Sequence, residues 1–193
     1  MRLKKVIVLP SFLLALACGG LGSNYQTQAT DQAAALTVAD VAPFSLLGEQ
    51  ADRTKESWEL SKGIDGVWSM EYNYSGETLV LSSQLQLDSS TSGAETTYGA
   101  LGLGMSVGML GQKGVELVPA PAIPYGDESD CQYFHSSNVD VGFVCRIREG
   151  KRTALYMAVG FLPNGEATPE ALLRRPWEAF QGWDPSVNAK EIE

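Results

Sequence analysis

The sequence predicts an antiparallel α+β domain with helices packed on one face of the sheet, and three observations predict it. Apolar and polar residues alternate over 68–74 and again over 79–87, which is the period of strands with one buried side. A glycine-rich, helix-length stretch without that period follows, and a helix with strong start signals closes the order of elements. Strands and helices do not alternate and no internal repeat runs through the chain, so an antiparallel sheet is favoured over a parallel one.

Each element has its own justification. Residues 31–48 carry enough Ala, Leu and Val for one or two short helices, which Pro43 interrupts. Trp68, Met70, Tyr72 and Tyr74 alternate with Ser69, Glu71 and Asn73, and Ser75-Gly76 turns the chain. Leu79, Leu81, Leu85 and Leu87 continue the period, so the two runs read as a hairpin with one core side and one wet side. Residues 94–111 combine Ala, Leu and Met with five glycines. They read as a helix lying close on the sheet, although each glycine costs about 1 kcal/mol relative to alanine. Val115 to Val118 suit a strand that the prolines 119, 121 and 124 stop. Residues 142–148 and 152–161 flank Glu149-Gly150-Lys151 as a second hairpin. Thr168-Pro169 starts a helix, with the threonine as cap and the proline in the first helical position.

With 193 residues, 44% hydrophobic and 19% charged, the chain suits one domain with a real core and lies far from the composition of disorder. The amino terminus reads as an export signal. Met1-Arg-Leu-Lys-Lys5 is basic, and the apolar run over 6–17 ends too early, at Gly19-Gly20, to span the ~30 Å hydrocarbon layer of a bilayer. Loss of residues 1–17 removes Arg2, Lys4 and Lys5 and leaves 11 basic residues against 23 acidic ones, a charge of −12. Such a surface repels phosphate backbones and anionic headgroups, so nucleic-acid binding is not expected.

Leu14-Ala-Leu-Ala-Cys18 resembles the lipobox of bacterial lipoproteins. The resemblance implies a lipid-carrying Cys18 at the mature amino terminus, and Gly19 in place of Asp implies the outer membrane of a Gram-negative envelope. Ala15 stands where that family most often has leucine, and Leu16 is bulkier than its usual occupant. Ala15-Leu-Ala17 also fits ordinary signal cleavage, which would release a soluble periplasmic protein with a free thiol. The expected organisation is a signal peptide over 1–17, a lipidated cysteine with a Gly/Ser/Gln-rich tether over 18–30, and one α+β domain over 31–193. Acylation of Cys18 leaves Cys131 and Cys145 as an even pair, expected to form a disulfide in an oxidising compartment. The element order is similar to that of PsbP-type α/β sandwiches, but no shared motif accompanies it and it implies nothing about function.

Candidate sites are few. His135 is the one histidine, near Asp130, Ser136, Ser137 and Asp140 in sequence; as a general base it would need a hydroxyl and an acid within hydrogen-bond reach. Residues 125–130 gather three carboxylates without calcium-loop spacing, and the glycines of 99–104 lack dinucleotide-loop spacing. No cofactor or metal is expected. Trp177 and Trp183 stand near a chain end where burial is difficult, which makes them a candidate partner surface. The leading expectation is a non-enzymatic, lipid-anchored envelope protein that binds another protein or helps assemble a complex. The alternatives are a small-ligand module, with a pocket between sheet and glycine-rich helix, and a hydrolase using His135.

Overall fold

The computed structural model describes residues 22–108 and 114–192. In chain order these form β1 (Ser23–Gln26), α1 (Ala29–Ala33), α2 (Val38–Val41), β2 (Glu56–Lys62), β3 (Trp68–Ser75), β4 (Val80–Leu87), α3 (Thr91–Gly108), β5 (Glu116–Pro119), β6 (Glu128–Ser136), β7 (Val139–Glu149), β8 (Arg152–Val159), α4 (Pro169–Gln181) and β9 (Lys190–Glu191). The strands make one antiparallel sheet in the order β5-β6-β7-β8-β4-β3-β2-β1-β9. The α+β class expected from the sequence is the class observed.

The β3–β4 hairpin forms in the expected register, with Trp68 opposite Leu87, Met70 opposite Leu85 and Tyr74 opposite Leu81. All of these lie on one side, the inner face, together with Phe143, Cys145 and Ile147 of β7 and Ala154, Tyr156 and Ala158 of β8. Against this face pack Leu172, Leu173, Trp177 and Phe180 of α4 and the buried residues around α1 and α2. Each fully buried aliphatic or aromatic side chain here contributes about 1.5–3 kcal/mol over exposure. The helices nevertheless divide between the two faces. α3 packs on the outer face, against β7 and β8, where the Thr153 hydroxyl donates to the Ala94 carbonyl. Gly102 allows this close approach, because a side chain there would collide with the Arg146 guanidinium, which stacks on Tyr98 and donates to its carbonyl.

The tether is shorter than expected. Ser23 pairs with Lys62 and Tyr25 with Leu60, so residues 23–26 are a strand of the sheet and α1 begins at Ala29. Cross-strand pairing overrides the polar composition: Tyr25 is partly buried, its ring tilted against Trp68 with centroids 4.7 Å apart.

The connection between α1 and α2 is buried without regular structure of its own. Ala34, Ala35, Leu36 and Val38 are fully enclosed, so their backbone groups need partners other than water. Side chains from two layers supply them. Ser83 of β4 both accepts from the Leu36 N–H and donates to its carbonyl, the Val38 N–H donates to the Tyr72 hydroxyl, and the Tyr156 hydroxyl donates to the Ala34 carbonyl. From α4, Arg175 donates to the carbonyls of Ala33 and Ala35 at 2.7 and 2.9 Å and grips Asp40 of α2 with two further hydrogen bonds. Burial pushes the Tyr156 and Tyr72 hydroxyls up, so both remain neutral hydrogen-bonding groups.

At the far end of the hairpin, Glu49 reaches over the β3–β4 turn. Its carboxylate accepts from the N–H groups of Glu77, Thr78 and Leu79 and from the hydroxyls of Thr78 and Tyr74. Partial burial works against ionisation, but the hydrogen bonds from Leu79, Thr78 and Tyr74 outweigh it and lower the Glu49 pKa from 4.5 to about 2. Gly76 is required beneath it, because any side chain there would occupy the carboxylate's position.

Tyr156→Phe strands the Ala34 carbonyl and is expected to lower the unfolding free energy by about 1–2 kcal/mol, and Arg175→Ala by about 2 kcal/mol, in urea titrations; no change in either would mean the segment does not depend on them. The lowered Glu49 pKa gives stability that is complete above about pH 4.5 and lost as pH falls toward about 2. With solvent screening, Glu49→Gln is expected to cost roughly 1–2 kcal/mol at pH 7 and to flatten the acid limb of the stability profile.

Candidate functional site

The structure places the expected site residues unevenly. Cys18 lies outside the described residues. Cys131 and Cys145 form the expected disulfide, joining directly opposed residues of β6 and β7 on the inner face.

Trp177 and Trp183 do not form a surface. They are only 5% and 3% exposed, within the inner core. The chain end does not leave them bare, because it doubles back to pair β9 with β1, and the Ile192 N–H donates to the Asn24 carbonyl. The Trp183 indole donates to buried Asp31 at 3.0 Å, and Trp177 stacks on Tyr125. Both tryptophans serve packing, which corrects the expectation of a partner surface there.

His135 has an acid beside it: its Nδ1 lies 2.8 Å from Asp140 Oδ1, the two residues being opposed on β6 and β7. A bulge in β7 sets this pairing, where the register between the strands shifts by one residue. Gly142 occupies the bulge, since a side chain there would strike the Ala158 carbonyl. Among the described residues no hydroxyl is hydrogen-bonded to His135, and the Ser136 hydroxyl donates instead to the Gly114 carbonyl. The acidic residues of 125–130 are engaged by arginines: Asp127 and Glu128 flank Arg148 at 3.6 and 3.5 Å, and Asp130 meets Arg146 at 3.2 Å.

The surface that sequence reasoning left without a role is the outer face of β2, β3 and β4, beside α3. Ser57, Glu59, Ser69, Glu71, Gln84 and Gln86 project there, exposed or half-buried, as a polar platform. Glu59 and Glu71 stand directly opposite each other across β2 and β3. Like charges at such a pair cost roughly 0.2–1 kcal/mol, and the Asn73 amide, donating to Glu71 at 2.7 Å, offsets part of that. The wet side of β3 and β4 was legible in the sequence; the carboxylate pair was not, because it depends on the register of β2. No family model, curated protein or solved structure matches this chain.

The disulfide closes a loop whose ends are 14 residues apart, for which the chain-entropy model gives about 3 kcal/mol. The double variant Cys131→Ala/Cys145→Ala is expected to lose about 2–3 kcal/mol in denaturant unfolding while keeping its far-ultraviolet circular dichroism; unchanged stability would show that the hairpin is restrained without the bridge.

Proposed function

We propose that this chain is a lipid-anchored envelope protein that binds another envelope protein through the open outer face of β2–β4. The observation that carries the reading is the facing pair Glu59 and Glu71 on a polar platform. A pair of carboxylates held together at a cost to the isolated domain is relieved by a basic side chain, so a partner presenting Lys or Arg gains there what the free domain lacks. The lipobox-like Leu14-Ala-Leu-Ala-Cys18 supports attachment to a membrane through Cys18, and the Cys131–Cys145 disulfide suits an oxidising compartment. The acidic surface supports the assignment of the membrane hold to the lipid and not to headgroup attraction.

A second reading, a small apolar ligand held between β8 and α3, draws on the cluster of Phe134, Val144 and Val159, against which Leu155 and Met157 are only partly buried. An apolar fluorescent dye that binds the native protein and is lost in Met157→Gln would favour it.

Labelling with radioactive palmitate tests the anchor: wild type takes up label and Cys18→Ala does not. For the platform, a photo-crosslinking residue at Glu59 is expected to capture a partner in intact cells, whereas one at Glu178, exposed on α4, is not. Glu59→Gln/Glu71→Gln is expected to abolish that capture when the crosslinker sits at Gln84, while raising the stability of the isolated domain by about 0.5 kcal/mol. Capture from Glu178 alone, or capture indifferent to the double substitution, would remove the platform from the account.

A further inference from the structure

The path of β1 fixes which end of the domain can face a bilayer. β1 enters the sheet at Ser23, opposite Lys62, the last residue of β2. Gly22 abuts the turn that follows, since a side chain at Gly22 would collide with the Lys62 carbonyl and approach Gly63. That turn is tight: the Gly66 N–H donates to the Gly63 carbonyl, and the Val67 N–H donates to Asp65. At its tip stands Ile64, a branched apolar residue 81% exposed where turns ordinarily carry polar residues or glycine.

Four residues lie between Cys18 and Ser23 in the sequence, so even a fully extended chain bridges no more than about 18 Å. The opposite end of the sheet, with the β3–β4 turn and exposed Leu47 near it, lies a full strand away. β3 has eight residues, or about 26 Å of strand. With that end on the membrane, Gly22 would stand further from the surface than the chain from Cys18 can reach. The reach forbids the inverted orientation and leaves the end with the β2–β3 turn nearest the lipid, where Ile64 at the turn and Ile192 beside Asn24 are exposed.

We infer that the β2–β3 turn is a membrane-contacting end, with Ile64 entering the interface of the bilayer to which Cys18 is attached. The inference rests on the proposed lipid anchor and adds to it a fixed orientation: the outer face of β2–β4 then stands roughly perpendicular to the membrane, open to a neighbour in the same layer. A lone apolar side chain contributes little by itself, but the anchor supplies the high local concentration that lets it insert.

The test uses the mature chain isolated from the expressing cells and mixed with phosphatidylcholine vesicles, with an environment-sensitive fluorophore on Ile64→Cys or on Leu47→Cys, two positions 81% and 77% exposed in the protein. The native cysteines are occupied by lipid and by the disulfide. A quencher attached to the lipid near the headgroups is expected to quench the label at position 64 at least threefold more than that at position 47, with a blue shift only at position 64. Protein that floats with the vesicles but shows equal quenching at the two positions, or stronger quenching at position 47, overturns the orientation and leaves the anchor standing. Protein that carries no acyl group and does not float overturns the anchor and the orientation together.

Discussion

The fold depends on a buried stretch of irregular backbone. Residues 33–38 pass between sheet and α4 with Ala34, Ala35, Leu36 and Val38 removed from solvent, and an unpaired peptide group there would cost about 1–3 kcal/mol. Ser83, Tyr72 and Tyr156 rise from the sheet to meet these groups, and Arg175 meets them from α4. Small side chains at 33–35 are what allow the approach. The same contacts therefore fix the position of both layers: sheet and helix each hold the segment, and the segment holds them in register with one another. Asp31 and Asp40 extend the arrangement, one to Trp183 and the other to Arg175, so α4 and the residues just after it are bound to α1 and α2.

The inner side of the sheet is sealed, and the outer face is only partly covered. α3 covers β7 and β8, fixed by Arg146 stacked on Tyr98. The adjoining strands keep their serines, glutamines and carboxylates in contact with water. An arrangement with one packed face and one half-covered face is a common solution for antiparallel sheets, which can hold one side wet. The result is a polar surface bounded by α3, whose carboxylate pair is set by the register of β2 and β3.

Much of this was legible in the sequence wherever one element reports its own environment. The alternation of Trp68, Met70, Tyr72 and Tyr74 declares a buried side, and Thr168-Pro169 declares a helix start; the Thr168 hydroxyl does accept from the Ala171 N–H. What escaped depends on distant partners. Ser23–Gln26 is polar and short, and only pairing with β2 makes it a strand. β6 carries its carboxylates in the strand itself, where Arg146 and Arg148 of β7 compensate them, so a charge cluster concealed a strand. Trp183 near a terminus suggested exposure, yet the returning tail and Asp31, 152 residues away in the chain, bury it. The disulfide was readable by counting cysteines, whereas the opposition of Glu59 and Glu71 required a register no local pattern contains.

The claim that a side-chain-satisfied segment unites the two layers is tested most directly by native-state hydrogen exchange at the amides of Leu36 and Val38, which donate to Ser83 and Tyr72. Outside any helix or strand ladder, such amides ordinarily exchange through small local openings. The account requires Leu36, with Val38 at the start of α2, to exchange only on global unfolding, with the same opening free energy as the central strands β3 and β4. Rapid exchange of either amide, at rates near those of exposed loops while the strands stay protected, would show that the segment opens independently and does not hold the layers together.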